Sequence, residues 1–170
     1  MYDVASSRER RFRALADEAT PPVGAYLRRR LYPLSPADLD DLVEEVLLIA
    51  WRRLDDIPAG AEIPWMIGVA RNVLRNALRK QRRISLLQAQ LRPVAPDAAA
   101  EDYVIADEGV REALSSLSED DREILFLHFW DGRNAAELGV ILEVSSNAAA
   151  VRLSRALERF RKNFDVLSVE

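Results

Sequence analysis

Residues 63–83 read IPWMIGVARNVLRNALRKQRR, with arginines at 71, 75, 79 and 83, every fourth position. A helix carries positions four apart onto one face, so Arg71, Arg75, Arg79 and Arg83 form a ladder, with Asn72, Asn76 and Lys80 beside it. The chemistry open to such a face is recognition rather than bond-making. Guanidinium groups make planar two-point contacts with phosphates and base edges, and side-chain amides pair with base edges. Most charge runs on helices simply face water. Here no acidic residue lies between Glu62 and Asp97, so the cations lack local partners and a polyanion-binding face is the favoured reading. Ile67, Ala70, Leu74 and Leu78 recur at three- and four-residue spacing and require an apolar partner.

Two further groups of side chains have a recognisable spacing. Asp41, Glu44, Glu45, Leu48 and Arg52 fall on one side of a helix whose other side carries Leu39, Leu42, Val43, Val46, Ala50 and Leu54. An acidic face with a leucine in it fits a protein partner, and a solvated face fits it equally. Near the C-terminus, Ser146, Asn147, Arg152, Arg155 and Arg159 are the polar positions of a helix in which Val151, Leu157 and Phe160 are expected to pack. A short turn over 143–145 joins it to a helix over 134–142, which is the pattern of a helix-turn-helix; a helical hairpin with no DNA role has the same spacing.

Catalysis finds little footing. There is no cysteine, hence no disulfide framework and no thiolate metal site, and no glycine-rich phosphate loop. The single histidine, His128, sits in an apolar run without a second ligand and reads as a packing residue. Asp40 with Asp41 and Glu44 with Glu45 are adjacent pairs, and neighbours on a helix point in different directions. No metal, cofactor or small-molecule substrate is expected. The charged start, SSRERRFRALADEA, is unlike a signal peptide, and no apolar run is long enough to span a membrane. A cytoplasmic location without membrane insertion is therefore expected.

The elements that must position these groups are all helical. Residues 6–19 suit a helix with Phe12 and Leu15 turned inward, which Thr20-Pro21-Pro22 is expected to end, because proline lacks the amide hydrogen. A second helix over 23–31 should close at Tyr32-Pro33. Ser35-Pro36-Ala37-Asp38 is a helix start, with Ser35 as cap, and the helix should run to about residue 54. Pro58 and Gly60 break the loop over 55–62, and the basic helix follows, with Trp65 placed in the core. Prolines, alanines and acids over 84–106 read as a flexible acidic linker with a first half able to be helical. Beyond it come a helix near 107–117, another capped by Ser118 and stopped at Asp131-Gly132, and the helical pair already described, ending near 163. The predicted fold is all-α: two small helical domains over 6–83 and 107–165, joined by the linker 84–106. The net charge of −4 conceals a distribution of +3 over 1–83, −7 over 84–121 and zero over 122–170. Positive charge is thus kept in patches, although the chain as a whole is acidic.

Taken together, both halves resemble one family. The chain is similar to bacterial sigma factors of the extracytoplasmic-function (ECF) group, within the sigma-70 family. DLDDLVEEVLLIAWRRL resembles its core-polymerase-binding helix, and IPWMIGVARNVLRNALRKQRR its promoter-melting and −10-reading helix. LSEDDREILFLHFWDGRNAAELGVILEVSSNAAAVRLSRALERFRK resembles its −35-reading helix-turn-helix domain. The resemblance spans about 6–165 and implies a protein that binds core RNA polymerase and reads two promoter elements. By it, Asp41, Glu44, Glu45, Leu48 and Arg52 would meet the clamp helices of the polymerase β′ subunit, and the second domain the β flap. The loop 56–62, including Asp56, Ile57 and Ala61, would hold a base flipped from the −10 element. Arg71, Asn72, Arg75, Asn76, Arg79, Lys80, Arg82 and Arg83 would lie along the −10 DNA. Arg133, Ser146, Asn147, Ala149, Arg152 and Arg155 would meet the −35 element. An anti-sigma factor is the implied regulator. The alternative is a stand-alone helix-turn-helix regulator, which would have no use for the acidic helix or the melting helix. Three places depart from the family pattern: Glu44 replaces a usual Gln, Glu143 a frequent Gly of the turn, and Ala148, Ala149 and Ala150 leave the recognition helix short of base-reading groups. The last of these points to a −35 element read partly through DNA shape.

Overall fold

The computed structural model describes residues 2–91 and 107–167, and among these every regular element is a helix. Two compact units result, one on each side of the undescribed stretch 92–106. The first contains α1 (Tyr2–Arg29), α2 (Asp38–Arg52), a single 3₁₀ turn (Leu54–Asp56) and α3 (Glu62–Leu91). The second contains α4 (Glu108–Ser115), α5 (Glu119–Phe129), α6 (Ala135–Ile141) and α7 (Ser146–Leu167).

In the first unit α1, α2 and α3 pack against one another. The core is drawn from Ala19, Val23, Tyr26 and Leu27 of α1, from Leu42, Val46 and Ala50 of α2, and from Met66, Ile67, Ala70, Val73 and Leu74 of α3. The expected stripe on α3 is therefore buried, apart from Leu78, which is half-buried. Trp65 is also half-buried, with the guanidinium of Arg53 5.4 Å from its ring centroid.

The break expected at Thr20-Pro21-Pro22 does not occur: α1 runs unbroken through both prolines. Each interior proline forfeits one helical hydrogen bond and crowds the carbonyl four residues back, at about 3 kcal/mol. Those carbonyls belong to Asp17 and Glu18, which are exposed, so water can satisfy them. On the opposite side Ala19, Val23, Tyr26 and Leu27 are at most 2% exposed. Each large apolar side chain buried there contributes about 1.5–3 kcal/mol, enough together to hold the helix through the prolines.

The start of α2 also differs from expectation. The helix begins at Asp38, and Ser35 acts as a donor, not as a cap. Its hydroxyl and its backbone N–H both donate to the Asp38 carboxylate, at 2.7 and 2.8 Å. The hydroxyl bond first, and then the backbone bond, hold the Asp38 carboxyl below its ordinary value. At the other end α3 continues past Arg83 to Leu91, so the helical first part of the stretch 84–106 is an extension of the basic helix.

The second unit is arranged around α7, against which α4, α5 and α6 all pack. Its helix starts are built from side-chain oxygens, at Ser118 as expected. Asp107 accepts from the N–H of Val110 and Ser118 from that of Asp121. Asn134 and Glu137 form a reciprocal capping box, which satisfies two otherwise orphan donors. Ile124, Leu125, Phe126 and Leu127 of α5, Leu138 and Ile141 of α6 and Ala149 and Ala156 of α7 form the core.

Candidate nucleic-acid interface

The basic ladder on α3 is graded along its length. Arg71 and Arg75 are half-buried, while Asn72, Asn76, Arg79, Lys80, Arg82 and Arg83 are exposed. Among the described residues Arg79, Lys80, Arg82 and Arg83 make no ion pair. This part of α3 thus presents a cluster of exposed cations, with the amides of Asn76 and Asn72 one and two turns before it.

The loop that precedes α3 is held more tightly than its sequence suggests. Ile57 is 4% exposed and anchors the loop in the core, so its side chain is unavailable to a ligand. Asp56 is exposed and receives a hydrogen bond from Nε of Arg53 at 3.2 Å. Ala61 is half-buried, and its N–H closes a turn onto the Pro58 carbonyl at 3.2 Å. Gly60 has φ +77, in the region that glycine enters without steric cost. From α1, Arg8 pairs with Asp55, donates to the Trp51 carbonyl at 2.9 Å and lies over the Trp51 ring. Arg11 reaches the same aspartate at 3.6 Å. Sequence reasoning did not reach Arg8, Arg11 or Arg53; Arg8 and Asp55 are 47 positions apart, and no local pattern joins them.

On α2 the expected outer face is present as a surface. Asp41, Glu44, Glu45 and Arg52 are exposed, and Leu48 among them is 47% exposed. The spacing 41, 44, 45, 48 and 52 places all five on one side of the helix.

In the second unit α6 and α7 meet across a turn in which Glu143 has φ 56. The close approach of the two helices is made at Gly139. A Cβ there would lie 2.9 Å from the Val144 carbonyl oxygen and 3.1 Å from the Ser146 nitrogen. Ser146, Asn147, Arg152 and Arg155 are exposed, as a groove-facing helix requires. Two positions differ from expectation. Ala149 is fully buried, whereas Val151, expected to pack, is 41% exposed. Arg133 is half-buried and tied to Glu137 at 3.1 Å. Nδ1–H of His128 donates to the Arg133 carbonyl at 2.8 Å, so both residues brace the junction of α5 and α6. Arg159 forms a two-point contact with Asp121, 2.8 Å to each oxygen, which ties α7 to α5.

Residues 15–84 match the family described as Sigma-70 region 2, and residues 107–160 match Sigma-70, region 4. The chain belongs to the ECF group of the sigma-70 family. Region 2 thus covers the three-helix unit with the basic ladder, and region 4 covers the helix-turn-helix. Among relatives, the chain is similar to RNA polymerase sigma factor CarQ of Myxococcus xanthus, 29% identical over 164 residues, covering 94% of this chain and 92% of that protein. It is 27% identical over 165 residues to ECF RNA polymerase sigma factor SigL of Mycobacterium tuberculosis, covering 92% and 90%. The probable RNA polymerase sigma factor RfaY of Xanthomonas campestris pv. campestris is 31% identical over 126 residues, but the chain spans only 32% of that longer protein. Two solved structures share the fold. CnrH, solved in complex with the cytosolic domain of CnrY, has a TM-score of 0.58 at 22% identity, covering 96% of this chain and 94% of that one. The sigma factor RpoE of Bartonella quintana, solved with the anti-sigma factor NepR, has a TM-score of 0.52 at 21% identity, covering 98% and 99%.

Among the described residues no helix of this sigma factor is long and apolar enough to cross a membrane. No group of three or more His, Cys, Asp or Glu residues among them is placed to hold a metal ion.

Proposed function

We propose that this ECF sigma factor binds core RNA polymerase, directs it to promoters with −10 and −35 elements and opens the DNA. The observation that carries the reading is the pairing, within one three-helix unit, of an exposed acidic face containing Leu48 with a separate exposed group on α3, Arg79, Lys80, Arg82 and Arg83, which makes no ion pair among the described residues. The first suits a protein partner, because a leucine left in water among carboxylates gains by being covered. The second suits DNA, because arginine and lysine displace counterions from phosphate. The acidic face of α2, Asp41 to Arg52, docks on the β′ clamp helices, and the second unit meets the β flap. Asn72, Asn76 and the cations from Arg71 to Arg83 run along the −10 DNA. The loop from Asp56 to Ala61, made rigid by Ile57 within and by Arg53 and Arg8 at its rim, receives a base flipped from the −10 element. Unstacking a base costs a few kcal/mol, and a preformed loop offsets that cost better than a mobile one. The exposed residues of α7 meet the −35 element. An anti-sigma factor that covers these faces keeps the protein inactive; in support, the structurally similar sigma factor RpoE of Bartonella quintana was solved in complex with the anti-sigma factor NepR.

This role asks for binding and positioning, with the chemistry of RNA synthesis left to the polymerase. The test is run-off transcription from pooled genomic fragments by core polymerase with and without the chain, beside a pull-down of core polymerase. Discrete new transcripts that share a two-part upstream sequence are expected. Leu48→Asp should reduce core capture at least about tenfold, as the loss of a central interface anchor does, and leave the helical content unchanged. Promoter-specific DNA binding without any core capture would overturn the reading in favour of a stand-alone regulator.

A further inference from the structure

Successive residues of a helix are set about 100° apart. With Ala149 and Ala156 of α7 fully buried, the direction opposite them belongs to Asn147, Val151 and Ser154, flanked by Ala150 and Arg155. All five are exposed. Val151 stands in the second turn of a helix that begins at Ser146, and this N-terminal part is what a helix-turn-helix places in the major groove. A valine side chain can neither donate nor accept a hydrogen bond. Base edges in the major groove offer one apolar group, the C5-methyl of thymine.

The surroundings of Val151 favour DNA over a protein as its partner. No acidic residue lies between Glu143 and Glu158, and Arg152 and Arg155 are exposed within that stretch. Neither arginine makes an ion pair among the described residues. The apolar surface is also narrow: one turn before Val151 on the outward face stands Asn147, and one turn after it Ser154. A groove built for an apolar helix of a partner would carry anchors over several turns. A single methyl-sized contact between polar and cationic neighbours matches a base edge between phosphates.

Resting on the reading of α7 as the −35 helix, we propose that Val151 selects a thymine in the −35 element by packing on its C5-methyl. Ala150, with no side chain beyond Cβ, lets the helix come close, while Arg152 and Arg155 hold the flanking phosphates. Part of the sequence readout thus comes from a hydrocarbon contact, at a helix start poor in hydrogen-bonding groups.

The test uses the full chain with core polymerase and a promoter found by run-off transcription. Each −35 thymine is replaced in turn by deoxyuridine, which keeps base pairing and removes only the methyl. One position should lose about three- to fivefold in affinity, the worth of one buried methyl group. In Val151→Ala that sensitivity should fall below twofold, and in Val151→Thr, which keeps one methyl, it should survive. Because Val151 is exposed, unfolding midpoints of the variants should match that of the parent. Wild-type affinity for every deoxyuridine duplex would overturn the inference and leave Val151 to a protein partner. Equal sensitivity in the parent and in Val151→Ala would also overturn it. If scrambling the whole −35 element changed nothing, the reading of α7 itself would fall, and the inference with it.

Discussion

The two helices proposed to face DNA hold their charge in opposite ways. Along α3 the cations stand on one flank of a well-buried apolar stripe and grow more exposed from Arg71 onward, and Arg79, Lys80, Arg82 and Arg83 are without ion-pair partners among the described residues. On α7 only Arg152 and Arg155 are exposed near the helix start, and Arg159 is already committed to Asp121. Exposed cations bind phosphate irrespective of sequence, whereas sequence is read by side chains that meet base edges, the role proposed for Asn147, Val151 and Ser154. Under the proposed function, the contrast gives most of the affinity to α3 and much of the discrimination to α7.

The sharpest way to break that division is charge reversal. Arg79→Glu with Arg83→Glu should weaken promoter binding by the holoenzyme roughly 100-fold at moderate salt and lower the dependence of log K on log salt by about two. Capture of core polymerase should be unchanged, because neither residue belongs to the face of α2 proposed to dock there. On α7 the pair Asn147→Ala with Val151→Ala should leave the salt slope unchanged and, unlike the first, alter which −35 sequences are preferred. Titrations of the two double variants at several salt concentrations check this. Equal and sequence-blind losses at both helices would abolish the distinction.

The two helices also differ in how far the sequence discloses their orientation. On α3 two independent signals agree, the arginines every fourth residue and the apolar stripe beside them, and the structure buries Ile67, Ala70 and Leu74 as that agreement requires. On α7 the decisive stretch is Ala148, Ala149 and Ala150, which carries no polarity contrast. The phase is set further on, where Leu153, Ala156, Leu157 and Phe160 turn toward the other helices, and only then does Ala149 fall inside and Val151 outside. The surroundings of Arg133 are hidden in the sequence for a related reason. Its partners, Glu137 and the carbonyl contact to His128, are products of the α5–α6 junction and not of its composition. Likewise the prolines of α1 obey their local rule until tertiary burial of Val23, Tyr26 and Leu27 outweighs it.

A smaller effect tests whether α7 owes its orientation to the turn. Gly139→Ala places a methyl 2.9 Å from the Val144 carbonyl oxygen, and both near atoms are backbone, so no side chain can swing away. Such overpacking costs about 1–3 kcal/mol. Thermal unfolding should show one transition lowered, that of the second unit, with −35 discrimination reduced and α3-dependent, sequence-independent binding retained. If the unfolding profile and the discrimination both stay at parent values, the close approach at Gly139 does not set the helix.

The mildest change runs the other way. Glu143 holds φ 56, where an L-residue pays about 1–2 kcal/mol for its Cβ. Glycine removes that penalty but loses about 0.5–1 kcal/mol of chain entropy on folding. Glu143→Gly should therefore stabilise the second unit by about 0.5–1 kcal/mol. That corresponds to a rise of roughly 2–8 °C in the transition that Gly139→Ala lowers. The backbone bond from the Glu143 N–H to the Val140 carbonyl, 3.3 Å, is available to glycine as well, so the turn keeps its geometry. Val151 then keeps its place, and −35 preference should not move. A stabilised variant with altered preference would mean that Glu143 takes part in DNA reading, and discrimination would then extend from α7 into the turn before it.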